Sequence, residues 1–134
     1  MEQLGERLSA TRRALDTLAE ALGMPFSVVV RDAAVQRFEY SFESLWKLLL
    51  AYLGAAEGIV SNSPKQCFRE GLKVGLLAAE EAERCLEMTD DRNLTSHTYI
   101  EAIAATIFGK LPAYHRLMDD LWGRLQSRLR SHCQ

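Results

Sequence analysis

Apolar residues recur at alternating spacings of three and four along almost the whole chain, and this repeat most constrains the fold. In the first segment it runs through Leu4, Leu8, Thr11, Leu15, Leu18 and Leu22. A longer repeat passes through Val35, Phe38, Phe42, Leu45, Leu49, Tyr52 and Ala56. Because an α-helix has about 3.6 residues per turn, this spacing gathers the repeated positions on one helix face. No strand-like alternation of useful length competes with it.

Helix start and stop signals divide the repeat into separate helices. Gly23 and Pro25 are expected to end the first helix. Ser27 is a candidate N-cap for the second helix, which Gly58 is expected to end. The run Val28-Val29-Val30 favours a strand by composition, but a strong helical pattern follows it directly. We therefore expect this run to begin the second helix.

A capping-box pattern marks the start of a third helix. Ser63-Pro64-Lys65-Gln66 combines a capping serine, a proline at the first helical position and a glutamine three residues after the cap. This helix is predicted to run to about Gly75. A fourth helix should start near Ala78 and turn Ala82 and Cys85 inward.

The last helix carries a second capping-box pattern and an internal proline. Thr98-Tyr99-Ile100-Glu101 predicts that this helix begins close to Tyr99. Gly109 and Pro112 fall inside its apolar stripe. Because proline lacks a backbone donor and clashes with the preceding turn, a kink or break is expected near Phe108 to Leu111.

Together these segments predict an all-α fold, an antiparallel up-and-down bundle of about five helices. The 134 residues suit a single domain, and 48% apolar with 25% charged residues is ordinary for a globular chain. The second helix carries a wide apolar face around Trp46. Such a face often packs against a second copy, so a homodimer is predicted.

Charge and cysteine usage exclude several classes of protein. A net charge of −2 provides no global basic field that would attract nucleic acid. Three cysteines without ligand-like spacing argue against a disulfide framework or a structural zinc site. We expect neither a metal nor a cofactor. The N-terminal residues lack a signal-peptide core, and the most apolar run, Leu45 to Ala56, is too short to cross a bilayer. The expectation is a soluble, cytoplasmic protein.

The segment from Arg92 to Tyr99 carries the residues best suited to chemistry. It lies between two helical patterns, beside the positive end of the last helix. Arg92 can clamp phosphate oxygens, and His97 can move a proton near neutral pH. On a continuous helix these two residues would point about 140° apart. A helix break between them, or a site shared by two copies, would be needed to bring them together.

Simpler interpretations of the same residues remain open. Arg92 could pair with acidic residues of its own helix, at Glu87, Asp90 or Asp91. His97 could be an exposed residue at a helix entrance, and Tyr99 could be a core aromatic with its hydroxyl at the rim.

The motif Arg92-(four residues)-His97-Thr98-Tyr99 resembles the Arg-x4-6-His motif of the HEPN superfamily (higher eukaryotes and prokaryotes nucleotide-binding domain). It also resembles the Arg-x4-His-x-Tyr form of the prokaryotic branch that is partnered by antitoxins. The block from Arg31 to Tyr40 is similar to the long second helix of the nucleotidyltransferase substrate-binding protein group. With Trp46-Lys47, Ser63-Pro64, Arg69-Glu70 and Asp90-Asp91-Arg92-Asn93, the resemblance covers roughly Val28 to Leu121.

The resemblance implies a homodimeric five-helix bundle that acts with a minimal nucleotidyltransferase. In the toxin–antitoxin branch the helical protein is a metal-independent ribonuclease, which would make Arg92 and His97 catalytic. Tyr99 would be the tyrosine to which the antitoxin adds AMP. Asn93, Ser96, Arg31 and Arg37 are candidate nucleotide- or RNA-binding residues, although Arg31 and Arg37 also fit a solvated charged helix face.

Two functions follow, and the sequence leaves both open. The first is a ribonuclease toxin that a cognate nucleotidyltransferase antitoxin neutralises. The second is a non-catalytic subunit that binds substrate or nucleotide for a two-component nucleotidyltransferase. A dimeric interaction module without activity is a third, less specific possibility.

Overall fold

The predicted helices form an all-helical up-and-down bundle. The computed structural model describes residues 2–132, with side chains from 3 to 131. Five α-helices and one short 3₁₀ turn follow one another along these residues, and no strand occurs among them. The elements are α1 (Glu2–Leu22), α2 (Val28–Glu57), α3 (Pro64–Lys73), α4 (Ala79–Leu94), the 3₁₀ turn (Thr95–His97) and α5 (Glu101–His132). None of the helices in this part of the chain is long and apolar enough to cross a membrane.

Helix α2 is the central element of the bundle, and both of its predicted ends are confirmed. The hydroxyl of Ser27 accepts a hydrogen bond from the Val30 N–H at 3.0 Å. Gly58 ends the helix in the left-handed conformation, with φ of 66°. Since that φ favours glycine, Gly58 was a specific signal for the end of α2. The β-favouring run at Val28 to Val30 is helical, as expected.

The core lies where α2 meets α1, α3 and α5. The apolar stripes predicted from the three/four repeat supply it, and aromatic rings fill its centre. The Phe42 ring lies 6.3 Å from that of Phe38 and 6.0 Å from that of Phe68. Other fully buried members come from every helix: Leu15, Leu18, Leu45, Leu49, Cys67, Cys85, Met88, Leu111, Met118 and Leu125.

The cap of α3 differs in detail from the predicted pattern. Ser63 caps α3 as expected and accepts from the Gln66 N–H at 3.2 Å. The Gln66 side chain, however, accepts from the N–H of Asn62 and not from that of the cap residue. Helix α3 ends at Lys73, two residues before the predicted Gly75.

The capping box predicted at Thr98 to Glu101 is wrong. Helix α5 begins at Glu101, two residues after the predicted start. Thr98 adopts a right-handed helical conformation, and its hydroxyl donates to the Thr95 carbonyl at 3.2 Å. The hydroxyl therefore closes the preceding turn and does not cap α5. The Glu101 carboxylate is engaged by the guanidinium of Arg31 on α2.

Of the kink or break predicted near Phe108 to Leu111, the break does not occur. Helix α5 runs unbroken from Glu101 to His132 with Pro112 inside it. Ile107 and Leu111 before the proline and Tyr114 after it are all buried in the same core. Tertiary packing on both sides of Pro112 outweighs the local cost of the proline.

We expect Phe42→Ala to lower the free energy of unfolding by about 3–5 kcal/mol, because it leaves a cavity between two aromatic neighbours. Chemical denaturation of both proteins measures the difference. Val29→Ala is the control, since Val29 is 78% exposed. Its effect should stay within about 0.5 kcal/mol. Equal effects of the two variants would contradict the assigned core.

We expect the Arg31–Glu101 pair to make stability depend on acid pH. The hydrogen bond from Arg31 and its positive charge hold the pKa of Glu101 below its ordinary 4.5. A carboxylate with a lowered folded-state pKa stabilises the fold above its unfolded pKa, and this is lost as pH falls through the folded value. The stability difference between wild type and Glu101→Gln should therefore be largest near neutrality and shrink below about pH 4.5. A difference that stays constant through the acid range would contradict this role.

Candidate functional site

Arg92 lies in the last turn of α4 and makes no ion pair among the described residues. The acidic residues near it in sequence are engaged by lysines of other helices. The ion pairs are Lys65–Asp90 at 2.7 Å, Lys110–Asp91 at 3.0 Å and Lys110–Glu87 at 3.1 Å. The interpretation that Arg92 merely pairs with its own helix is therefore wrong. Its guanidinium remains available to a ligand.

Arg92 faces α2 across a cleft of about 290 Å³, near the lower end of the size range of small-molecule sites. We name it the Arg92 cleft, and its lining residues are Gln36, Glu39, Tyr40, Glu43 and Arg92. The four α2 residues are spaced i, i+3, i+4 and i+7, so they share one helix face. This row of polar side chains at helical spacing is a sequence signal that could have identified the cleft.

The two carboxylates of the Arg92 cleft differ in their partners. Both oxygens of Glu43 are used, one by the indole N–H of Trp46 at 3.1 Å and one by Lys47 at 3.2 Å. Burial raises the pKa of Glu43, but these two contacts and the charges of Lys47 and Arg92 outweigh it, and the net pKa lies below 4.5. Glu39 is half-buried and has no hydrogen-bond or ion-pair partner within residues 3–131. It is the free acceptor of the cleft.

Tyr40 presents a fixed aromatic ring beside Glu39. Its hydroxyl shares a 2.5 Å hydrogen bond with the Thr17 hydroxyl on α1, while 41% of the residue is exposed. A ring held at its polar end with an open surface is suited to stacking against a planar ligand.

The hydroxyls of the motif segment stabilise the end of α4. Thr95 donates to the Arg92 carbonyl at 2.7 Å, and Ser96 donates to the Asn93 carbonyl at 3.4 Å. These bonds satisfy carbonyls that the end of a helix leaves unpaired. The side chains of Asn93 and Ser96 are exposed, and neither lines the Arg92 cleft.

His97 and Tyr99 are brought together on the surface. Their ring centroids lie 6.1 Å apart in an edge-on arrangement. Tyr99 is 81% exposed, so the interpretation of a core aromatic is wrong. His97 is exposed at the end of the 3₁₀ turn, as the simpler interpretation held, and no hydrogen bond joins it to Arg92 in the described part of the chain. The helix does change to a 3₁₀ turn between these two motif residues.

Arg31 and Arg37 serve contacts within the chain. Arg31 is 5% exposed and holds Glu101, so it is not a solvated helix residue. Arg37 donates to the Thr17 carbonyl at 2.7 Å and to Glu20 at 3.3 Å. Neither lines the Arg92 cleft.

A buried polar network that sequence reasoning missed lies behind Arg92. Asp91 is 8% exposed and accepts hydrogen bonds from the Tyr114 hydroxyl and from Lys110, both on α5. Burial and the bond to Asp91 raise the pKa of Tyr114 far above its ordinary 10.0. The tyrosine therefore stays a neutral donor. The network attaches the last turn of α4 to α5 and so fixes the backbone that carries Arg92.

Within the described residues no group of three or more potential ligands could hold a metal ion. Cys67 and Cys85 are buried, and burial raises the pKa of the Cys85 thiol to about 12. They pack as small apolar residues, as expected. Cys133 lies outside the described residues.

Residues 6–127 match the family described as nucleotidyltransferase substrate binding protein like. No curated protein matched the sequence. A crystal structure of the protein ttk003001694 from Thermus thermophilus is 52% identical, with a TM-score of 0.83 over 86% of this chain and 98% of that one.

Two further structures share the fold at lower identity. HI0074 from Haemophilus influenzae, described as revealing the fold of a substrate binding domain of a nucleotidyltransferase, is 23% identical. Its TM-score is 0.76 over 89% of this chain and 98% of that one. A mutant of the toxin–antitoxin pair MntA–HpeT is 10% identical, with a TM-score of 0.80 over 95% of this chain and 99% of that one. At these identities the similarity concerns the fold alone.

The family match extends over most of the chain and includes both helices that form the Arg92 cleft. On this ground, the chain belongs to the nucleotidyltransferase substrate-binding protein-like family.

Proposed function

We propose that this protein is the substrate-binding subunit of a two-chain nucleotidyltransferase and that it binds a nucleotide in the Arg92 cleft. The observation that carries the proposal is the unpaired Arg92 at a cleft inside the matched region. This was the second of the two functions that the sequence left open. The family match favours it over the ribonuclease function.

The chemistry of the cleft suits a nucleotide. A guanidinium binds phosphate oxygens through two parallel hydrogen bonds, and Arg92 need not give up an ion pair to do so. The exposed ring of Tyr40 offers a stacking surface, and stacking of a base on an aromatic ring contributes about 1–3 kcal/mol. Affinity should depend on these local contacts, since the net charge of −2 gives no long-range attraction for anions.

The catalytic function would reside in a separate nucleotidyltransferase chain. Large exposed apolar side chains at one end of the bundle offer a surface for that chain or for a second copy. They lie in two segments, before and at the start of α2 and around the start of α5: Met24, Phe26, Val28, Val29, Tyr99 and Ile100. The Arg31–Glu101 contact brings these segments to the same end.

We expect Arg92→Ala to weaken nucleotide binding at least tenfold, about the loss of one charge-assisted hydrogen bond. Isothermal titration calorimetry with ATP, GTP, CTP and UTP measures the change. Arg116→Ala is the matched control, because Arg116 is exposed on α5 and does not line the cleft. Equal affinities of the two variants for every nucleotide, or no binding by the wild type, would contradict the proposal.

The second candidate function is the metal-independent ribonuclease toxin, and the surface pair of His97 and Tyr99 favours it. The exposed imidazole of His97 is accessible to RNA, and histidine is the side chain that most often serves as a general acid or base. His97 would take the proton of the ribose 2′-hydroxyl or give one to the leaving oxygen. Tyr99, whose hydroxyl has no partner among residues 3–131, would be open to modification with AMP by the antitoxin.

A homodimer would supply what one copy lacks for this second function. No hydrogen bond joins Arg92 to His97 within the described residues of one copy, whereas two copies facing each other could pair Arg92 of one with His97 of the other. The exposed apolar end of the bundle gives such a dimer a surface.

For the toxin function we expect expression of the protein alone to arrest growth and His97→Ala to relieve the arrest. The purified protein should cleave RNA in the presence of a metal chelator and leave cyclic-phosphate ends. His115→Ala serves as control, since that imidazole contacts the Leu15 carbonyl inside the chain. Toxicity that survives His97→Ala, or cleavage that needs added metal, would overturn this candidate.

If two copies share the site, the same cleavage assay can also test pairs of variants. Co-expressed Arg92→Ala and His97→Ala copies should form dimers in which one of the two sites keeps both residues. Partial recovery of cleavage in the mixture supports a shared site, and no recovery in dimers shown to be mixed contradicts it.

A further inference from the structure

The hydrogen-bonding groups left free in the Arg92 cleft indicate what kind of base it would accept. Glu43 has both oxygens engaged, so it offers little to a ligand. Glu39 is half-buried without a partner in the described chain, and the exposed Gln36 amide lies one turn before Tyr40 on the same face. An ionised carboxylate accepts hydrogen bonds and cannot donate. The lining group that is half-buried and has no partner in the described chain is therefore an acceptor only.

Neighbouring residues set where a base would meet that acceptor. Arg92 lies across the cleft from α2 and is the one cation that lines it, so it sets the position of the phosphate. The Tyr40 ring, held by its hydroxyl on Thr17, fixes the plane of a stacked base. Glu39 and Gln36 lie beside Tyr40 and face the edge of that base.

A hydrogen-bond acceptor at the edge of the base distinguishes nucleotides with an amino group at that edge from nucleotides with a carbonyl group there. Adenine, guanine and cytosine carry an exocyclic amino group that can donate to a carboxylate. Where cytosine and adenine carry this amino group, uracil and hypoxanthine present a carbonyl oxygen, which a carboxylate repels, so that only the neighbouring ring N–H can donate to it. A bound base shields the half-buried Glu39 from water, so a base without a donor leaves its carboxylate unpaired and binds more weakly.

We propose that the Arg92 cleft selects nucleotides whose base carries an exocyclic amino group and that Glu39 is the residue that makes the selection. This inference rests on the proposed nucleotide-binding function and specifies its substrate class. Glu39 acts by accepting a hydrogen bond from the amino group, while Gln36 supplies an amide to the neighbouring position of the base.

The test compares nucleotides that differ at one exocyclic group, ATP with ITP and CTP with UTP. Isothermal titration calorimetry of the full chain should give at least about tenfold tighter binding of the amino-bearing member of each pair. In Glu39→Gln the preference should fall to about twofold or less, since an amide can turn either its donor or its acceptor toward the base. Loss of a negative charge shifts the affinity for all four nucleotides alike, so the ratio within each pair isolates the hydrogen bond.

Glu83→Gln is the matched control, because Glu83 is an exposed residue of α4 that does not line the cleft. It should keep the wild-type preference. Thermal unfolding followed by circular dichroism verifies that both variants are folded, and the isosteric change makes failure to fold unexpected.

The outcomes of this test distinguish the base preference from the nucleotide-binding function on which it rests. Arg92-dependent binding without preference within either pair overturns the inference and leaves the proposed function standing. A preference that survives Glu39→Gln overturns the role of Glu39. Absence of Arg92-dependent binding for all four nucleotides overturns both.

Discussion

Burial of the long helix α2 against α1, α3 and α5 is the constraint on which the rest of the structure depends. The apolar positions of α2 enter the core, with Phe38 and Phe42 fully enclosed among aromatic neighbours. One polar stripe is left over, and the end of α4 lies against it. The candidate site exists because α2, whose large apolar residues are buried in the core, keeps one face of carboxylate, amide and phenol groups beside α4.

The ion pairs between helices determine which basic side chain remains free to bind a ligand. Lysines from α3 and α5 form ion pairs with Asp90, Asp91 and Glu87, and Arg31 forms one with Glu101. Arg92 is left without an ion pair although it follows two aspartates directly. An arginine free of partners keeps its full capacity for phosphate. This pattern of pairing across helices explains why the motif arginine, and neither Arg31 nor Arg37, lines the cleft.

The predictions from sequence were wrong where one local pattern is compatible with more than one backbone structure. The pattern Thr98 to Glu101 matches a capping box, yet the chain forms a 3₁₀ turn first and Thr98 closes that turn. Pro112 has a strong local preference against a helix interior, yet buried neighbours on both sides keep α5 continuous. At Thr98 a hydrogen bond to a residue three positions earlier replaces the expected cap. At Pro112 packing against residues distant in sequence outweighs a local cost of about 3 kcal/mol.

By itself, the sequence determined the all-helical bundle, the ends of α1 and α2 and the apolar face of each helix. These features depend on periodicity and capping, which are properties of neighbouring residues. It also identified the segment from Arg92 to Tyr99 as a junction between helices. Only the tertiary structure decided that Arg92 faces α2, that Glu39 and Tyr40 join it, and that His97 lies apart with Tyr99 on the surface. Those placements follow from how helices pack and which charges pair across them. Local spacing shows that Glu39 and Tyr40 share a helix face, but not which helix lies opposite that face.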